Sequence, residues 1–143
     1  MIVNALSDQP TPQGDYVPAR RHGDLIFTSG MTPRRGGLLT IHGPIRSDLP
    51  LDHYRDAVTL ACSAALFAAR GALADGEHIS AILSLTVYIA AEATFTSHSR
   101  LADFASEYLR SELGAEAIGS RAAIGVAMLP GNAPIEIQLI AAV

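Results

Sequence analysis

The chain has 143 residues, of which 49% are hydrophobic and 17% are charged, and its formal net charge is -4. This length supports one modest core, so we predict a single domain over residues 1–143, with residues 1–15 as an extended N-terminal arm. The apolar composition excludes a disordered chain, and the acidic balance argues against nucleic acid as a partner.

The first third of the chain predicts short strands and turns. We expect an edge strand over residues 16–21 and a second strand over residues 25–29, which is rich in β-formers and stops at Gly30. Residues 34–37 are typical of a hairpin loop, and the chain then returns over residues 38–41. The sequence His42-Gly43-Pro44 ends this region.

Two helices are predicted in the middle of the chain. Ser47 or Asp48 can cap the first, whose apolar residues recur at helical spacing from Leu51 to Leu73 and which we expect to stop at Gly76. The second is expected over residues 96–113, with Gly114 ending it.

Three further strands are expected, and they define the fold. Residues 79–90 alternate with period two, so that Leu83, Leu85, Val87 and Ile89 share one apolar face. Residues 120–128 and 134–143 form the last two strands. We predict an α+β two-layer fold, with a mixed β-sheet and two helices on one face.

The second face of this sheet has no element of the chain to cover it. The final strand carries apolar residues on both sides, and a half-apolar open face normally finds a partner. We therefore expect a closed homo-oligomer with sites in the clefts between chains.

Arg121 and Glu136 are the main candidate site residues. Alternation over residues 120–126 predicts Ala122, Ile124 and Val126 on the core side and Arg121 on the open side. An Arg with small neighbours has room to hold a carboxylate bidentately. Glu136 is expected on the non-core face of the last strand. The alternative is a structural salt bridge, either between these two residues or with other chains.

Tyr16, Ser29 and Gly30 are weaker candidates when each is taken alone. A Tyr near a turn usually packs on the surface, and Ser-Gly at the end of a strand is usually turn chemistry. Their interest depends on a cleft forming there, with Ser29 and nearby backbone amides as donors.

Several kinds of chemistry are excluded by missing residue types. All ten basic residues are Arg, so no side chain can form a Schiff base or act as a phosphate-binding Lys. Cys62 is the single cysteine, which rules out an internal disulfide. The five His residues lack the i, i+4 spacing of a helical metal site. We expect neither a cofactor nor a metal.

The sequence also predicts no membrane partner. The longest uncharged apolar runs, such as residues 79–91, are shorter than the ~20 residues that span a bilayer. Residues 1–15 lack the basic and apolar regions of a targeting signal. We expect a cytoplasmic protein.

Four segments together resemble the RidA/YjgF family of reactive enamine and imine deaminases. They are GDYVPA at 14–19, GDLIFTSGMTP at 23–33, SRAAIGVAMLP at 120–130, and PIEI at 134–137. The likeness extends over nearly the whole chain from about Tyr16. It implies a chorismate-mutase-like fold, a homotrimer with three clefts between subunits, and a sheet in which the last two strands are not neighbours.

The resemblance also implies roles for the candidate residues. The Arg matching Arg121 binds the substrate carboxylate, and the Glu matching Glu136 positions or activates water. The Tyr matching Tyr16 lines the cleft, and Ser29-Gly30 matches a turn that contacts the substrate. Ser99 is a candidate match for the family's Asn at the start of the second helix.

Two positions depart from the family pattern. Ala123 stands where well-studied imine deaminases often carry Cys, and Met31 stands where Gln is common. The expected function is cofactor-free hydrolysis of 2-imino or enamine acids, with a small carboxylate-bearing substrate as the partner. The alternatives are a non-catalytic trimeric module that binds small carboxylates, and an endoribonuclease.

Overall fold

The computed structural model describes residues 10–143. The strands are β1 (Ala19–His22), β2 (Leu25–Thr28), β3 (Arg34–Arg35), β4 (Leu38–Leu39), β5 (Ala81–Ala90), β6 (Ser120–Val126) and β7 (Ile135–Ala142). The helices are α1 (Arg55–Arg70), which follows a 3-10 turn at Leu51–Tyr54, and α2 (His98–Leu113). Of the predicted arm, residues 1–9 lie outside the described residues, and residues 10–15 contain neither helix nor strand.

Five strands form one mixed sheet in the order β1-β2-β7-β5-β6, and β3 and β4 form a separate hairpin. β5 and β6 are parallel, while the other neighbours in the sheet are antiparallel. Because β5 lies between β6 and β7, the last two strands of the chain are not paired, as the family resemblance implied. One core joins both helices to one face of the sheet. The predicted α+β two-layer fold is therefore confirmed.

Both predicted helices are present, with one boundary placed too late. α1 buries an Ala-rich stripe that includes Val58, Cys62 and Leu66. It ends at Arg70 rather than near Gly76, and turns then lead into β5. α2 ends at Gly114 as predicted, where φ is 94° and a residue with a side chain would be strained.

The predicted apolar face of β5 is right for Leu85, Val87 and Ile89, which are buried, and wrong for Leu83. A register irregularity between Ile82 and Ser84 breaks the alternation. Leu83 consequently faces outward with 44% exposure, and Ile82 is buried in its place.

The predicted facing of β6 is wrong. Arg121 pairs with the buried Leu85, and Ala123 pairs with the buried Val87, so both lie on the helix-covered face of the sheet. Ile124 is 40% exposed on the opposite face. The reason is the close approach of α2, because the His98 ring fills the space that a Cβ on Gly125 would need. Only small side chains fit beneath the start of this helix.

The sheet face away from the helices, called the open face below, carries Phe27, Tyr88, Ile124 and Glu136. Tyr88 is paired with Ile124 on one side and with Glu136 on the other, and residues paired across strands point the same way. Phe27 is 42% exposed on this face. Within residues 10–143 no element covers it, as predicted. Neither helix in this part of the chain is long and apolar enough to cross a membrane.

Candidate functional site

Glu136 lies on the open face, where β7 passes Gly30. A Cβ built on Gly30 would be only 2.5 Å from Glu136 Oε2, so a glycine is needed to let the carboxylate lie against the backbone. No hydrogen bond from residues 10–143 reaches this carboxylate. Burial therefore acts unopposed and raises the pKa of Glu136 above its ordinary value.

Glu136, Gly30 and Tyr16 line one cavity of about 730 Å³, and we call these three residues the Glu136 half-site. Tyr16 precedes β1 instead of starting it, and its side chain is 46% exposed. Its hydroxyl accepts a hydrogen bond from the Gln13 backbone N–H at 3.0 Å. The structure therefore brings together three of the five residues that the sequence selected.

Ser29 supports this half-site from behind. Its hydroxyl donates to the carbonyl of Val17 at 2.6 Å, and its backbone N–H donates to the carbonyl of Pro18 at 2.9 Å. Both bonds fix the segment that carries Tyr16 next to Gly30. Ser29 thus positions the wall of the cavity, and its hydroxyl already donates its proton to the Val17 carbonyl.

Arg121 lies at the other side of the sheet, on the helix-covered face of the edge strand β6. Its Nη1 donates to Asp103 Oδ1 at 2.8 Å and to Ser106 Oγ at 3.0 Å. Its Nη2 donates to the carbonyl and the hydroxyl of Ser99 at 3.1 and 2.9 Å. Four of the five guanidinium N–H groups therefore have partners on α2, and the Nε–H group remains.

An open recess of about 440 Å³ adjoins Arg121, with Asp103, Glu107 and Arg110 on its walls. The guanidinium is thus paired with an acid of its own chain and still borders accessible space. We call Ser99, Asp103 and Arg121 the Arg121 half-site. Ser99, the candidate match for an Asn, is one of the residues that hold Arg121 in place.

The two half-sites do not meet within one chain. Glu136 points to the open face and Arg121 to the helix face, and strand β5 lies between their strands. The suggested salt bridge between Arg121 and Glu136 is therefore excluded within a single chain. The acid that pairs with Arg121 is Asp103.

Asp103 is a residue of the Arg121 half-site that the sequence analysis did not select. Ser99, Asp103 and Ser106 recur at i, i+4 and i+7, and this polar stripe on α2 is the signal that could have found Asp103. His98 is the first residue of α2 and packs edge-on against Phe95, with the ring centroids 5.2 Å apart. Nothing in the sequence places His98 over Gly125, because that contact depends on how α2 packs against β6.

Cys62 is buried between the helices, where burial raises the pKa of its thiol to about 12. A thiol with this pKa is protonated at neutral pH and is a poor nucleophile. Among residues 10–143, no group of three His, Cys, Asp or Glu side chains is arranged to hold a metal ion.

Solved structures share this small α+β fold. A protein of unknown function from Agrobacterium tumefaciens is 28% identical with a TM-score of 0.82, over 90% of this chain and 82% of the other. Escherichia coli TdcF with bound serine is 22% identical with a TM-score of 0.71, over 94% and 92% of the two chains. The E. coli YjgF gene product is 22% identical with a TM-score of 0.69, over 94% and 93%. The latter two likenesses show the fold alone.

The sequence comparisons agree with the fold. Protein TCP17 of Trypanosoma cruzi is 28% identical over 131 residues, which are 89% of this chain and 80% of the relative. The family model described as Endoribonuclease L-PSP matches residues 6–143. The chain therefore belongs to this family, which is the YjgF/RidA family that the sequence motifs resembled.

Proposed function

We propose that the protein hydrolyses reactive 2-imino or enamine acids to 2-oxo acids and ammonia, without a cofactor. One observation carries this proposal: the carboxylate of Glu136 lies in a cavity and accepts no hydrogen bond from residues 10–143. A carboxylate in this state can accept a proton from water, and burial that raises its pKa makes it a stronger base.

The proposed active site is shared between subunits of a homotrimer. The three residues of the Glu136 half-site include no cation, and the one acid of the Arg121 half-site, Asp103, is paired with Arg121. The open face exposes Phe27 and Ile124 and needs a cover. Packing three open faces together covers these apolar residues and leaves each edge strand β6 against a neighbouring chain.

The proposed reaction begins with water beside Glu136. The carboxylate takes a proton as the water oxygen bonds to the carbon of the protonated C=N group. Glu136 then returns the proton to the nitrogen of the resulting carbinolamine. The C–N bond then breaks and ammonia leaves, while the Glu136 carboxylate takes the hydroxyl proton so that the C=O bond of the 2-oxo acid forms. Ammonia or bulk water takes this proton from Glu136, which returns to its ionised state. Positioned acid–base groups of this kind contribute roughly 10²–10⁴-fold to rate.

Arg121 binds the substrate carboxylate in this mechanism. Its Nε–H group is available, and one more N–H must leave Asp103 or Ser99 to complete a bidentate pair. Asp103 is the partner most readily exchanged, because its side chain is 56% exposed and a new carboxylate replaces one of equal charge. Tyr16 lines the cavity, and Ser29 and Gly30 shape its wall.

The first alternative is a module that binds small carboxylates without turnover. It uses the same Arg121 and predicts that a carboxylate binds but is not hydrolysed. The family's description also names endoribonuclease activity. A net charge of -4 gives little attraction for an RNA backbone, where binding depends on clustered basic residues.

The test generates an imine in place with an amino-acid oxidase and follows its capture by semicarbazide. We expect the protein to reduce semicarbazone formation, and Arg121→Ala and Glu136→Gln to abolish this effect. Arg100→Ala is the matched control, since Arg100 lies exposed on α2 and makes no ion pair within residues 10–143. Arg121-dependent carboxylate binding without turnover would favour the binding module, and Arg121-dependent RNA cleavage would favour the nuclease. A monomer in light scattering would contradict the shared site.

A further inference from the structure

Arg34 is a half-buried cation that has no acidic partner within residues 10–143. Its Nε donates to Thr32 Oγ1 at 3.0 Å, and its Nη1 donates to the carbonyl of Gly37 at 2.8 Å. These two bonds fix the guanidinium. Its Nη2 lies over Gly131, 3.2 Å from a Cβ built there, and donates no hydrogen bond to the described residues.

Arg34 lines the same cavity as Glu136. Met31 exchanges backbone hydrogen bonds with Ile137 at 2.7 and 2.9 Å, so the chain is extended there. Met31 is buried, and Gly30 and Thr32 therefore lie on the opposite side of the chain, roughly 7 Å apart. Gly30 contacts Glu136 and Thr32 holds Arg34, so one wall of the cavity runs from the carboxylate to the guanidinium.

Arg70, a second Arg that lines this cavity, differs from Arg34 in having an acidic partner. Arg70 pairs with Glu112 at 3.2 Å, so its charge is compensated inside the protein. Arg34 keeps its charge without such a partner, although partial burial of a charge costs free energy. An anionic group of a ligand would supply the missing partner, several bonds away from the carbon beside Glu136.

We propose that Arg34 binds a second carboxylate of the substrate, so that the site prefers 2-imino acids with an acidic side chain. This inference rests on the proposed function, with Arg121 holding the first carboxylate and Glu136 serving as the base. A substrate with an apolar side chain leaves the Nη2 of Arg34 unpartnered. A distal carboxylate pairs with it and gains a charged hydrogen bond, which corresponds to roughly ten- to hundredfold in affinity.

The experiment measures binding of stable 2-oxo acids to the full-length protein by calorimetry. The probes are 2-oxoglutarate, which has a distal carboxylate, and 2-oxohexanoate, which is of similar length and has none. We expect the wild type to bind 2-oxoglutarate at least tenfold more tightly. Arg34→Gln removes this preference and leaves the affinity for 2-oxohexanoate within about twofold.

Two further variants make the result specific. Arg35→Gln is the matched control, because Arg35 is the exposed neighbour in the same hairpin, and it should change neither affinity. Thr32→Val removes the oxygen that fixes Nε while keeping the charge, and should reduce the preference several-fold. This variant also keeps the test valid should Arg34→Gln fail to fold in a thermal melt.

The outcomes separate the two proposals. Arg121-dependent binding of 2-oxohexanoate, with 2-oxoglutarate bound no more tightly, overturns the role of Arg34 and leaves the proposed function intact. A preference for 2-oxoglutarate that persists in Arg34→Gln also overturns it. If neither acid binds, and Arg121→Ala has the same effect on semicarbazone formation as the wild type, the proposed function itself is wrong.

Discussion

Glu77 and Glu136 are two partly exposed carboxylates with opposite surroundings. Glu77 accepts two hydrogen bonds from the guanidinium of Arg21 and one from the backbone N–H of Ala74, at 2.7 Å for the last. Hydrogen bonding to Arg21 lowers the pKa of Glu77 to about 2. Glu136 has no such donor within residues 10–143, and burial raises its pKa.

The difference between these residues distinguishes a structural acid, Glu77, from a candidate functional acid, Glu136. Glu77 stabilises the fold, because it ties the turn before β5 to strand β1. Glu136 in its ionised form costs stability, because the folded protein favours its protonated form. A side chain that destabilises its own fold and borders a cavity is a candidate for chemistry.

The largest expected effect is that of Glu136→Gln, which should lower kcat roughly 10²–10⁴-fold. Because the folded pKa is above the ordinary 4.5, the ionised form is destabilising at higher pH, and Gln removes this cost. The melting temperature of the variant at pH 7 should therefore equal or exceed that of the wild type. A clearly lower melting temperature of the Glu136→Gln variant would make Glu136 a structural acid like Glu77.

In the wild type, kcat/KM should fall with decreasing pH, with a midpoint above pH 4.5.

Gly30→Ala should have the next largest effect on activity. The new Cβ would lie 2.5 Å from Glu136 Oε2, so the flexible carboxylate must move away while the backbone stays in place. We expect activity to fall by about 100-fold with little change in the melting temperature, since a displacement of 1 Å can cost that much. Unchanged activity would show that the Glu136 position next to Gly30 is not the reactive one.

Asp103→Asn should have a smaller effect, in the opposite direction. Asn keeps an oxygen of the same shape beside Arg121 but removes the negative charge that competes with a substrate carboxylate. Because exposed ion pairs contribute about 0–1 kcal/mol, we expect KM to decrease roughly two- to fivefold. An increase in KM would indicate instead that Asp103 orients Arg121 for binding.

Glu77→Gln should leave activity unchanged and affect stability alone. Since the folded pKa of about 2 lies below the ordinary 4.5, the ionised carboxylate stabilises the protein above pH 4.5 and this is lost toward pH 2. Denaturant unfolding should show the variant less stable at pH 7, with the gap closing as the pH falls. A gap that stays constant from pH 7 to 3 would contradict the role of the Arg21 pair.

The fold and the residues of the Glu136 half-site could be predicted from the sequence, while the facing of β6 could not. Helical spacing and alternation identified both helices and the core strands. The motifs selected Tyr16, Gly30 and Glu136, and the structure places all three in one cavity. Alternation predicted the wrong face for Arg121. The small residues Ala123 and Gly125 suggested the open face of the sheet, whereas they make room for α2 on the helix-covered face. Contacts such as Arg121 with Asp103 depend on that packing.

The opposite facing of Arg121 and Glu136 has a consequence for mixed assemblies. If each site takes its base from one protomer and its cation from the next, a defective chain still contributes one intact half. Arg121→Ala and Glu136→Gln, each inactive alone, should regain about a quarter of the wild-type activity when they are unfolded together and refolded at equal amounts. Two inactive variants would thus form partly active mixed oligomers, which is intragenic complementation.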